Sequence, residues 1–194
     1  MARAPEAARA AGGGWIPGAR RVPSPNCDSR PSGARVALAV LHAISLPRGD
    51  YRRGADAAGS AIERLFTNRL DPASHPTFAD LAGLRVSSHF LIYRDGELVQ
   101  FVPLEARAWH AGVSRWRGRE RCNDFSVGIE LKGVDDAPFD GAQYAALAAL
   151  LRALRARLPL RALAAHSDVA PGRKSDPGRG FDWRRALAAL ASQY

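Results

Sequence analysis

Two apolar segments of the chain end in a histidine. Residues 35–42 alternate between apolar and small or polar positions with a period of two, as in a half-buried β-strand, and end at His42. Residues 163–166 form a shorter apolar run that ends at His166. Because a strand end delivers its side chain to the edge of a sheet, both histidines are candidates for a functional site.

A β-hairpin is predicted over residues 86–102. Residues 86–93 have the composition of one strand, and residues 97–102 (ELVQFV) have that of its partner. Between them, Asp95-Gly96 is a signal for a type I′ turn. The pattern therefore predicts two antiparallel strands that are adjacent in the sheet.

A further strand, residues 125–131, carries two kinds of side chain. Its odd-numbered residues are apolar, and they alternate with Ser126, Gly128 and Glu130. This pattern predicts one face packed on the core and one face of small residues that bears a carboxylate. We therefore expect Glu130 to stand over an open surface.

Helical spacing of apolar residues predicts three helices. A short helix is expected within residues 61–70, a longer one over 141–158 and a last one over 182–192. Asp140 and Gln143 resemble a capping box at the start of the longer helix. Hairpins combined with crossovers predict an α+β fold, in which a central mixed β-sheet is flanked by helices in a single domain.

Length and composition narrow the class of protein. A chain of 194 residues, 46% hydrophobic and 24% charged, fits one globular domain. We assign this domain to residues 15–194, after a disordered Ala/Gly-rich tail at residues 1–14. No apolar run is long enough to cross a bilayer. Since no export signal is evident, we expect Cys27 and Cys122 to remain free thiols in the cytoplasm.

The net charge of +9 comes from 28 Lys+Arg against 19 Asp+Glu. Such an excess could indicate a nucleic-acid partner, which would show as steeply salt-dependent binding. It could equally reflect a bias of the composition, because the arginines are scattered through the tail, the helices and the loops. The scatter favours composition, so we expect neither a nucleic-acid partner nor a membrane partner.

His42, His166 and Asp176 are candidate metal ligands. A catalytic zinc site uses about three protein ligands from His, Asp, Glu or Cys and keeps a further position open. Pro171 and Pro177 stiffen the loop after His166, which would allow Asp176 to turn back towards the metal. The spacing matches no compact metal motif, so hydrogen-bonded structural histidines are the alternative at this point.

Lys174, Glu130 and Trp109 could complete such a site. Lys174, two residues before Asp176, would place a positive charge where an oxyanion develops, or else be a solvated loop lysine. Glu130 would act as a base, or else be a surface strand residue. Trp109, followed by small residues, would form a wall for a sugar or peptide, or else belong to a packed turn.

Five stretches of the chain together resemble a known family. They read RRVPSPNCDSRP, VLHAISLPRG, LRVSSHFLIYRDGELVQFVP, AWHAGVSRWRGRERCNDFSVGIELKG and AHSDVAPGRKSDPG. These stretches are similar to the AmpD family of 1,6-anhydro-N-acetylmuramyl-L-alanine amidases, cytoplasmic enzymes of bacterial cell-wall recycling. The likeness extends over about residues 15–190. It implies a mixed central sheet with helices on its faces.

The resemblance also implies a role for each candidate residue. His42, His166 and Asp176 would bind Zn²⁺, Glu130 would be the catalytic carboxylate, and Lys174 would stabilise the transition state. The implied reaction is hydrolysis of the amide bond between the lactyl group of (1,6-anhydro-)N-acetylmuramic acid and L-alanine. The implied substrate is a small molecule, an anhydro-muropeptide, and we expect the enzyme to be a monomer.

Substrate contacts follow from the same resemblance. Arg85 and Arg121 would hold the acidic stem peptide, and Trp109 would form the wall of the cleft. Ala43 departs from the family, which more usually has an Asn there that contacts the substrate; this leaves the metal site intact but affects one peptide hydrogen bond. The alternative function is a non-catalytic module that binds peptidoglycan fragments, which in this fold usually follows the loss of a metal ligand.

Overall fold

The computed structural model describes residues 13–50 and 60–191, with side chains of the last helix described up to residue 188. These residues contain ten strands: β1 (Arg20–Arg21), β2 (Cys27–Ser29), β3 (Leu38–Ile44), β4 (Phe90–Ile92), β5 (Leu98–Gln100), β6 (Ala106–Ala108), β7 (Arg115–Trp116), β8 (Arg119–Glu120), β9 (Ser126–Lys132) and β10 (Ala162–Ala165). They also contain four α-helices: α1 (Ala61–Phe66), α2 (Gly141–Arg155), α3 (His166–Val169) and α4 (Trp183–Ala191). Short 3₁₀ turns lie at Pro72–Ser74, Pro76–Leu81 and Cys122–Phe125.

Six strands form one mixed sheet in the order β1-β5-β4-β9-β3-β10. The four strands β4, β9, β3 and β10 run parallel to one another. β5, on the other side of β4, pairs antiparallel with it. β2 with β6 and β7 with β8 form two small antiparallel ribbons beside the sheet. The expected mixed sheet with flanking helices in an α+β fold is therefore confirmed.

One face of the sheet packs on the largest hydrophobic core, and the other face carries candidate site residues. The apolar residues of β9, such as Ile129, pack with residues of α2, such as Leu147, in the largest hydrophobic core. The register pairs His42 on β3 with Glu130 on β9. Cross-strand partners share a face, so His42 and Glu130 lie together on the side away from that core.

Helix α2 is fixed to the strands that carry the site. The backbone N–H of Asp140 donates to Gln143 Oε1 at 3.0 Å, as the capping box predicts. The Gln143 side-chain amide donates to the carbonyls of Ile92 and Lys132, both at 3.2 Å. The cap therefore also ties the start of α2 to the ends of β4 and β9.

The predicted ends of two strands were wrong. β3 continues two residues past His42 to Ile44, because β9 pairs with it as far as Lys132. β10 ends at Ala165, and His166 begins α3 instead of closing the strand. The Asp168 carboxylate accepts a hydrogen bond from the Ala165 N–H at 2.8 Å, which caps this one-turn helix.

The hairpin of β4 and β5 is confirmed, but its turn is not type I′. The Gly96 N–H donates to the Tyr93 carbonyl at 2.9 Å, so Arg94 and Asp95 are the central residues. Gly96 alone has a left-handed φ, of 89°, within this turn. A type I′ turn needs positive φ at both central residues; here the glycine instead follows the turn as a bulge.

The N-terminal end of the described chain packs against β5 and the residues that follow it. Residues 1–12 of the predicted tail lie outside the described residues. Gly14 is buried, and its carbonyl accepts from the Leu104 N–H at 3.0 Å and from Gln100 Nε2 at 2.7 Å. The packed part of the chain therefore includes Gly14. Within the described ranges, no helix combines the length and apolar character needed to span a bilayer.

Candidate active site

The structure brings His42, His166 and Asp176 together. The Nδ1 atoms of the two histidines lie 2.9 Å apart. Asp176 Oδ2 lies 3.2 Å from His42 Nδ1 and 3.1 Å from His166 Nδ1. The three potential ligand atoms are all within 4.8 Å of one another. Three side chains that are up to 134 residues apart in the sequence thus direct two nitrogens and one oxygen at a single point.

The ligands reach this point from three elements. His42 lies on β3, and His166 begins α3, which follows the neighbouring strand β10. The loop after α3 is closed by the N–H groups of Arg173 and Lys174, which both donate to the Ala170 carbonyl at 3.1 Å. The Asp176 carbonyl then accepts from the Ser167 N–H at 3.0 Å, so the end of the loop returns to α3.

Burial and charge set the protonation of the ligands. Burial lowers the pKa of His42 to about 4, against the raising effect of its hydrogen bond to Asp176. Burial also opposes the charge of Asp176, but the hydrogen bonds with His166 and His42 bring the pKa of its carboxyl below the ordinary value. At neutral pH His42 is therefore neutral and Asp176 is charged, the states in which both residues bind metals.

Glu130 lies beside the ligands and is buried, with 7% of its surface exposed. The expected open surface is therefore absent: the chain after β6, which carries His110, covers this face, and His110 packs directly against Gly128. Burial and the nearby charge of Asp176 raise the pKa of Glu130 well above its ordinary value, while Lys174 lowers it. The carboxyl is therefore suited to hold a proton near the ligands.

Lys174 is exposed on the loop between α3 and Asp176. Its positive charge lowers the pKa of both Glu130 and His42, which places the ammonium group close to both. Lys174 therefore lies near both groups, and its role in the site stays a prediction.

Two of the predicted substrate contacts, Trp109 and Arg121, lie near one carboxylate, that of Asp28. Trp109 hydrogen bonds to Asp28, and the charge of Arg121 acts on the same group, so that both help to lower its pKa after the larger effect of Arg107. Arg121 is 71% exposed and pairs with Asp124 at 3.3 Å. Arg85 is exposed and precedes Ser87, whose N–H donates to the Trp109 carbonyl at 3.2 Å.

A cavity of about 560 Å³ lies next to this group. Its walls come from the segment that follows Trp109 and from the loop that follows α3, and they include Gly112, Arg115, Arg121 and Arg173. The cavity is open and basic, which suits an acidic ligand.

The sequence analysis missed His110 as part of the site. His110 Nδ1 lies 3.0 Å from His42 Nε2, on the side of that ring away from Asp176. The signal was present in the small residues of β9, because Gly128 leaves the space that the His110 ring occupies. Nothing in the periodicity alone indicates which side chain fills such a space.

Comparison with known proteins gives a consistent family. The family model for N-acetylmuramoyl-L-alanine amidase matches residues 32–179. The 1,6-anhydro-N-acetylmuramyl-L-alanine amidase AmpD of Escherichia coli K12 is 54% identical over 182 residues, covering 93% of this chain and 96% of that protein. AmpD of Haemophilus influenzae is 41% identical over 180 residues, covering 91% and 95%.

Solved structures show the same similarity. The crystal structure of a selenomethionine derivative of AmpD is 52% identical, with a TM-score of 0.86, and the match covers 91% of this chain and 96% of that one. The amidase AmiD from E. coli, in complex with anhydro-N-acetylmuramic acid-L-Ala-D-γ-Glu-L-Lys, is 30% identical with a TM-score of 0.57. That match covers 82% of this chain and 60% of AmiD.

Proposed function

The chain belongs to the N-acetylmuramoyl-L-alanine amidase family, and we propose that it works with a zinc ion held by His42, His166 and Asp176. It is an amidase of peptidoglycan recycling. It cleaves the bond between the lactyl group of (1,6-anhydro-)N-acetylmuramic acid and L-alanine. We propose the identity of the metal, the roles of the catalytic and substrate-binding residues, and the cytoplasm as the location of the enzyme.

The convergence of His42 Nδ1, His166 Nδ1 and Asp176 Oδ2 is the observation that carries this proposal. Two imidazole nitrogens 2.9 Å apart cannot both point a hydrogen at each other, and the adjacent carboxylate has none to give. Lone pairs facing one point are stabilised by a cation. Two nitrogens and one carboxylate oxygen form a ligand set typical of catalytic zinc, so the residues fit this metal.

A zinc ion in this site would polarise the scissile carbonyl and make water a better nucleophile at neutral pH. Glu130 would take a proton from the attacking water at its carboxylate and pass it to the departing amine of L-alanine. Its burial, and the resulting rise in its pKa, suit a group that must keep the proton between these two transfers.

Lys174 would stabilise the carbonyl oxygen as it gains negative charge. Its ammonium group is exposed and therefore free to approach a substrate, while its charge already acts on Glu130. Arg121 and Arg85 would bind the carboxylates of the stem peptide, since guanidinium groups bind them with two parallel hydrogen bonds. Trp109, oriented by Asp28, would form the wall against which the substrate lies.

We also place the enzyme in the cytoplasm. Cys27 and Cys122 are both free thiols in the structure, which is in keeping with a reducing compartment. The substrate class, a small soluble muropeptide fragment, is in keeping with the same compartment.

The test is metal analysis of the purified protein combined with an assay on an anhydro-muropeptide. We expect one zinc ion per chain, loss of hydrolysis on removal of the metal by a chelator, and recovery on adding zinc back. Hydrolysis by metal-free protein would contradict the proposed cofactor. Tight binding of the muropeptide without hydrolysis by the zinc-loaded protein would favour the non-catalytic binding module instead.

A further inference from the structure

One short segment, residues 110–113, contacts all three elements that carry the ligands. His110 Nδ1 lies 3.0 Å from His42 Nε2, and the Ala111 carbonyl lies 3.4 Å from His166 Nε2. Arg173, three residues before Asp176, donates to the Ala111 carbonyl at 2.5 Å and to the Val113 carbonyl at 2.8 Å. The segment therefore contacts both histidine ligands at Nε2, on the side away from Asp176, where it can orient their rings.

A series of hydrogen bonds runs from His42 Nε2 through His110 and Ser126 to the Cys122 carbonyl. The donor and acceptor of each bond can be assigned from the carbonyl at its end. Ser126 Oγ lies 2.6 Å from the Cys122 carbonyl oxygen, which can only accept, so the serine hydroxyl donates there. Because the only hydrogen of this hydroxyl is used in that bond, Ser126 Oγ accepts a hydrogen bond from His110 Nε2–H at 3.1 Å. The proton of a neutral His110 ring is thus on Nε2, and its Nδ1 carries a lone pair.

The same reasoning reaches the metal ligand. His110 Nδ1 lies 3.0 Å from His42 Nε2, and the one hydrogen of the neutral His110 ring is already directed at Ser126 Oγ. Its Nδ1 must therefore accept from His42 Nε2–H, which leaves the lone pair of His42 on Nδ1. Three hydrogen bonds in series, from His42 through His110 and Ser126 to Cys122, select one tautomer of the ligand.

His166 is assigned in the same way by the next residue of the segment. The Ala111 carbonyl can only accept, so His166 presents Nε2–H to it and keeps the lone pair on Nδ1. Both Nδ1 atoms are the ones that face Asp176 Oδ2. Neighbouring residues of one loop thus leave the same nitrogen free on both histidine ligands.

The surroundings hold His110 in place. An ideal Cβ at Gly128 would lie 2.5 Å from His110 Cγ, so only glycine lets the ring lie against β9. The N–H groups of His110 and Ala111 both donate to Asn123 Oδ1, at 3.2 and 2.8 Å. The ring position is therefore built into the fold on two sides.

We propose that His110 is a positioning residue for the metal: it accepts a hydrogen bond from His42 Nε2–H and so holds His42 in the tautomer and orientation that presents Nδ1 to zinc. This inference rests on the proposed zinc site. Groups that orient a ligating histidine typically raise metal affinity by about 10- to 100-fold, and a neutral histidine in this position is an unusual alternative to a carboxylate or carbonyl.

The test compares His110→Leu with His110→Asn in the full chain. The two replacements have nearly the same shape, but the Asn side-chain oxygen can accept from His42 Nε2–H, whereas Leu cannot. Zinc affinity is measured by competition with a chromophoric chelator, and the absorption spectrum of the Co²⁺-loaded protein reports the geometry of the ligands. We expect His110→Leu to weaken zinc binding by about 10- to 100-fold, and His110→Asn to stay within about threefold of the parent.

Ring ¹⁵N shifts of the zinc-loaded parent give an independent result. Coordination through Nδ1 with a protonated Nε2 is expected for both His42 and His166, and coordination of His42 through Nε2 would overturn the proposal. Equal zinc affinity and equal Co²⁺ spectra for the Leu and Asn variants would also overturn it, because His110 would then only fill space. His75→Ala, which removes a histidine from a loop remote in sequence, is the matched control and should change neither.

These outcomes separate this inference from the proposed function. If the parent binds one zinc ion and the Leu variant binds it equally well, only the positioning role is wrong. If the parent itself binds no zinc, the proposed metal site is wrong. Should His110→Leu fail to fold, Ser126→Ala removes the acceptor for His110 Nε2–H further along the series, and unchanged zinc affinity in that variant would contradict the proposal.

Discussion

Two buried polar clusters of this chain differ in how donors and acceptors are matched. In the Glu63 cluster, the Glu63 carboxylate receives two hydrogen bonds from Arg20, at 2.8 and 3.0 Å, and one from the Tyr93 hydroxyl at 2.5 Å. In the ligand cluster of His42, His166 and Asp176, two nitrogens and a carboxylate oxygen face one another. The first cluster is satisfied within the chain, whereas the second directs three potential ligand atoms at one point, where a cation could bind.

This difference indicates which buried charges are structural and which are functional. Burial disfavours the charge of Glu63, but Arg20 and Tyr93 bring the pKa of Glu63 below its ordinary value. Glu130 is buried as well, but none of the described residues donates a hydrogen bond to its carboxyl, and its pKa is raised well above the ordinary value. A buried carboxyl that the fold does not neutralise is a candidate for proton transfer.

The largest effect is expected from breaking the ligand cluster. His166→Ala should abolish zinc binding and hydrolysis together, because two remaining ligands rarely hold zinc against water. Metal content by atomic absorption and turnover of an anhydro-muropeptide are the measurements. One zinc ion per chain in the purified variant would show that His166 is not a ligand, and His75→Ala is the control for loss of a histidine elsewhere.

The next largest effect is expected at Glu130. Glu130→Gln keeps the shape of the side chain but cannot take up a proton, so kcat should fall by about 10²- to 10⁴-fold while zinc is retained. A variant whose kcat stays within about twofold of the parent would exclude Glu130 from proton transfer. Loss of zinc in this variant would instead indicate that Glu130 contributes to holding the metal.

Part of this site could be predicted because it depends on local patterns along the strands, although the predicted strand ends were wrong. The alternation in β9 placed Glu130 on the face away from the core, and the parallel pairing of β9 with β3 puts it opposite His42. The capping box of α2 and the β4–β5 hairpin are local as well, and both were predicted correctly. Short-range patterns of this kind are set by backbone hydrogen bonds within a few residues.

What the sequence did not predict depends on contacts between distant residues. The packing of His110 on β9 requires Gly128 to leave room for a ring that lies 18 residues earlier, and periodicity cannot identify this partner. The short helix that begins at His166 depends on one side-chain cap from Asp168, which competes with continuation of the strand. The turn after β4 was mistaken because a type I turn followed by a left-handed Gly96 uses the same Asp-Gly pair.

The Glu63 cluster should affect stability and leave catalysis unchanged. Glu63→Gln removes a charge that accepts three hydrogen bonds, two from Arg20 and one from Tyr93. The free energy of unfolding should therefore fall by about 2–3 kcal/mol, with kcat unchanged. Glu97→Gln removes the more exposed carboxylate bound to the same Arg20 at 2.9 Å and should cost less than about 1 kcal/mol. Equal losses for the two variants, measured by urea unfolding, would contradict the special role of the buried partner.

The same cluster predicts a pH dependence with a definite sign. Because the pKa of Glu63 is lower in the folded state than in the unfolded chain, its contribution is present above the unfolded value of about 4.5 and is lost as the pH falls below it. The difference in unfolding free energy between the parent and Glu63→Gln should therefore shrink from pH 6 towards pH 3. A difference that grows over this range would reverse the assignment.

The smallest loss of catalysis is expected at Arg121, whose guanidinium is paired with the chain through only part of its donors. It is 71% exposed and shares Asp124 with Arg107, so donors remain for a carboxylate of the substrate. Its φ of 60° and ψ of 58° are left-handed, which asparagine tolerates better than alanine. Arg121→Asn should therefore lower kcat/KM for an acidic stem peptide by about 1.5 kcal/mol, or about tenfold, without changing the zinc content.

A comparison of substrates decides whether this arginine binds the stem peptide. On an analogue with amidated carboxyl groups, Arg121→Asn should lose much less, because the neutral peptide offers no charge to the guanidinium. Arg115→Ala is the matched control: Arg115 lines the same cavity but is paired with Glu120 at 2.9 Å, and its loss should affect both substrates alike. Equal losses on both substrates for Arg121→Asn would make Arg121 structural, like Arg20, and would leave the basic cavity without a demonstrated acidic ligand.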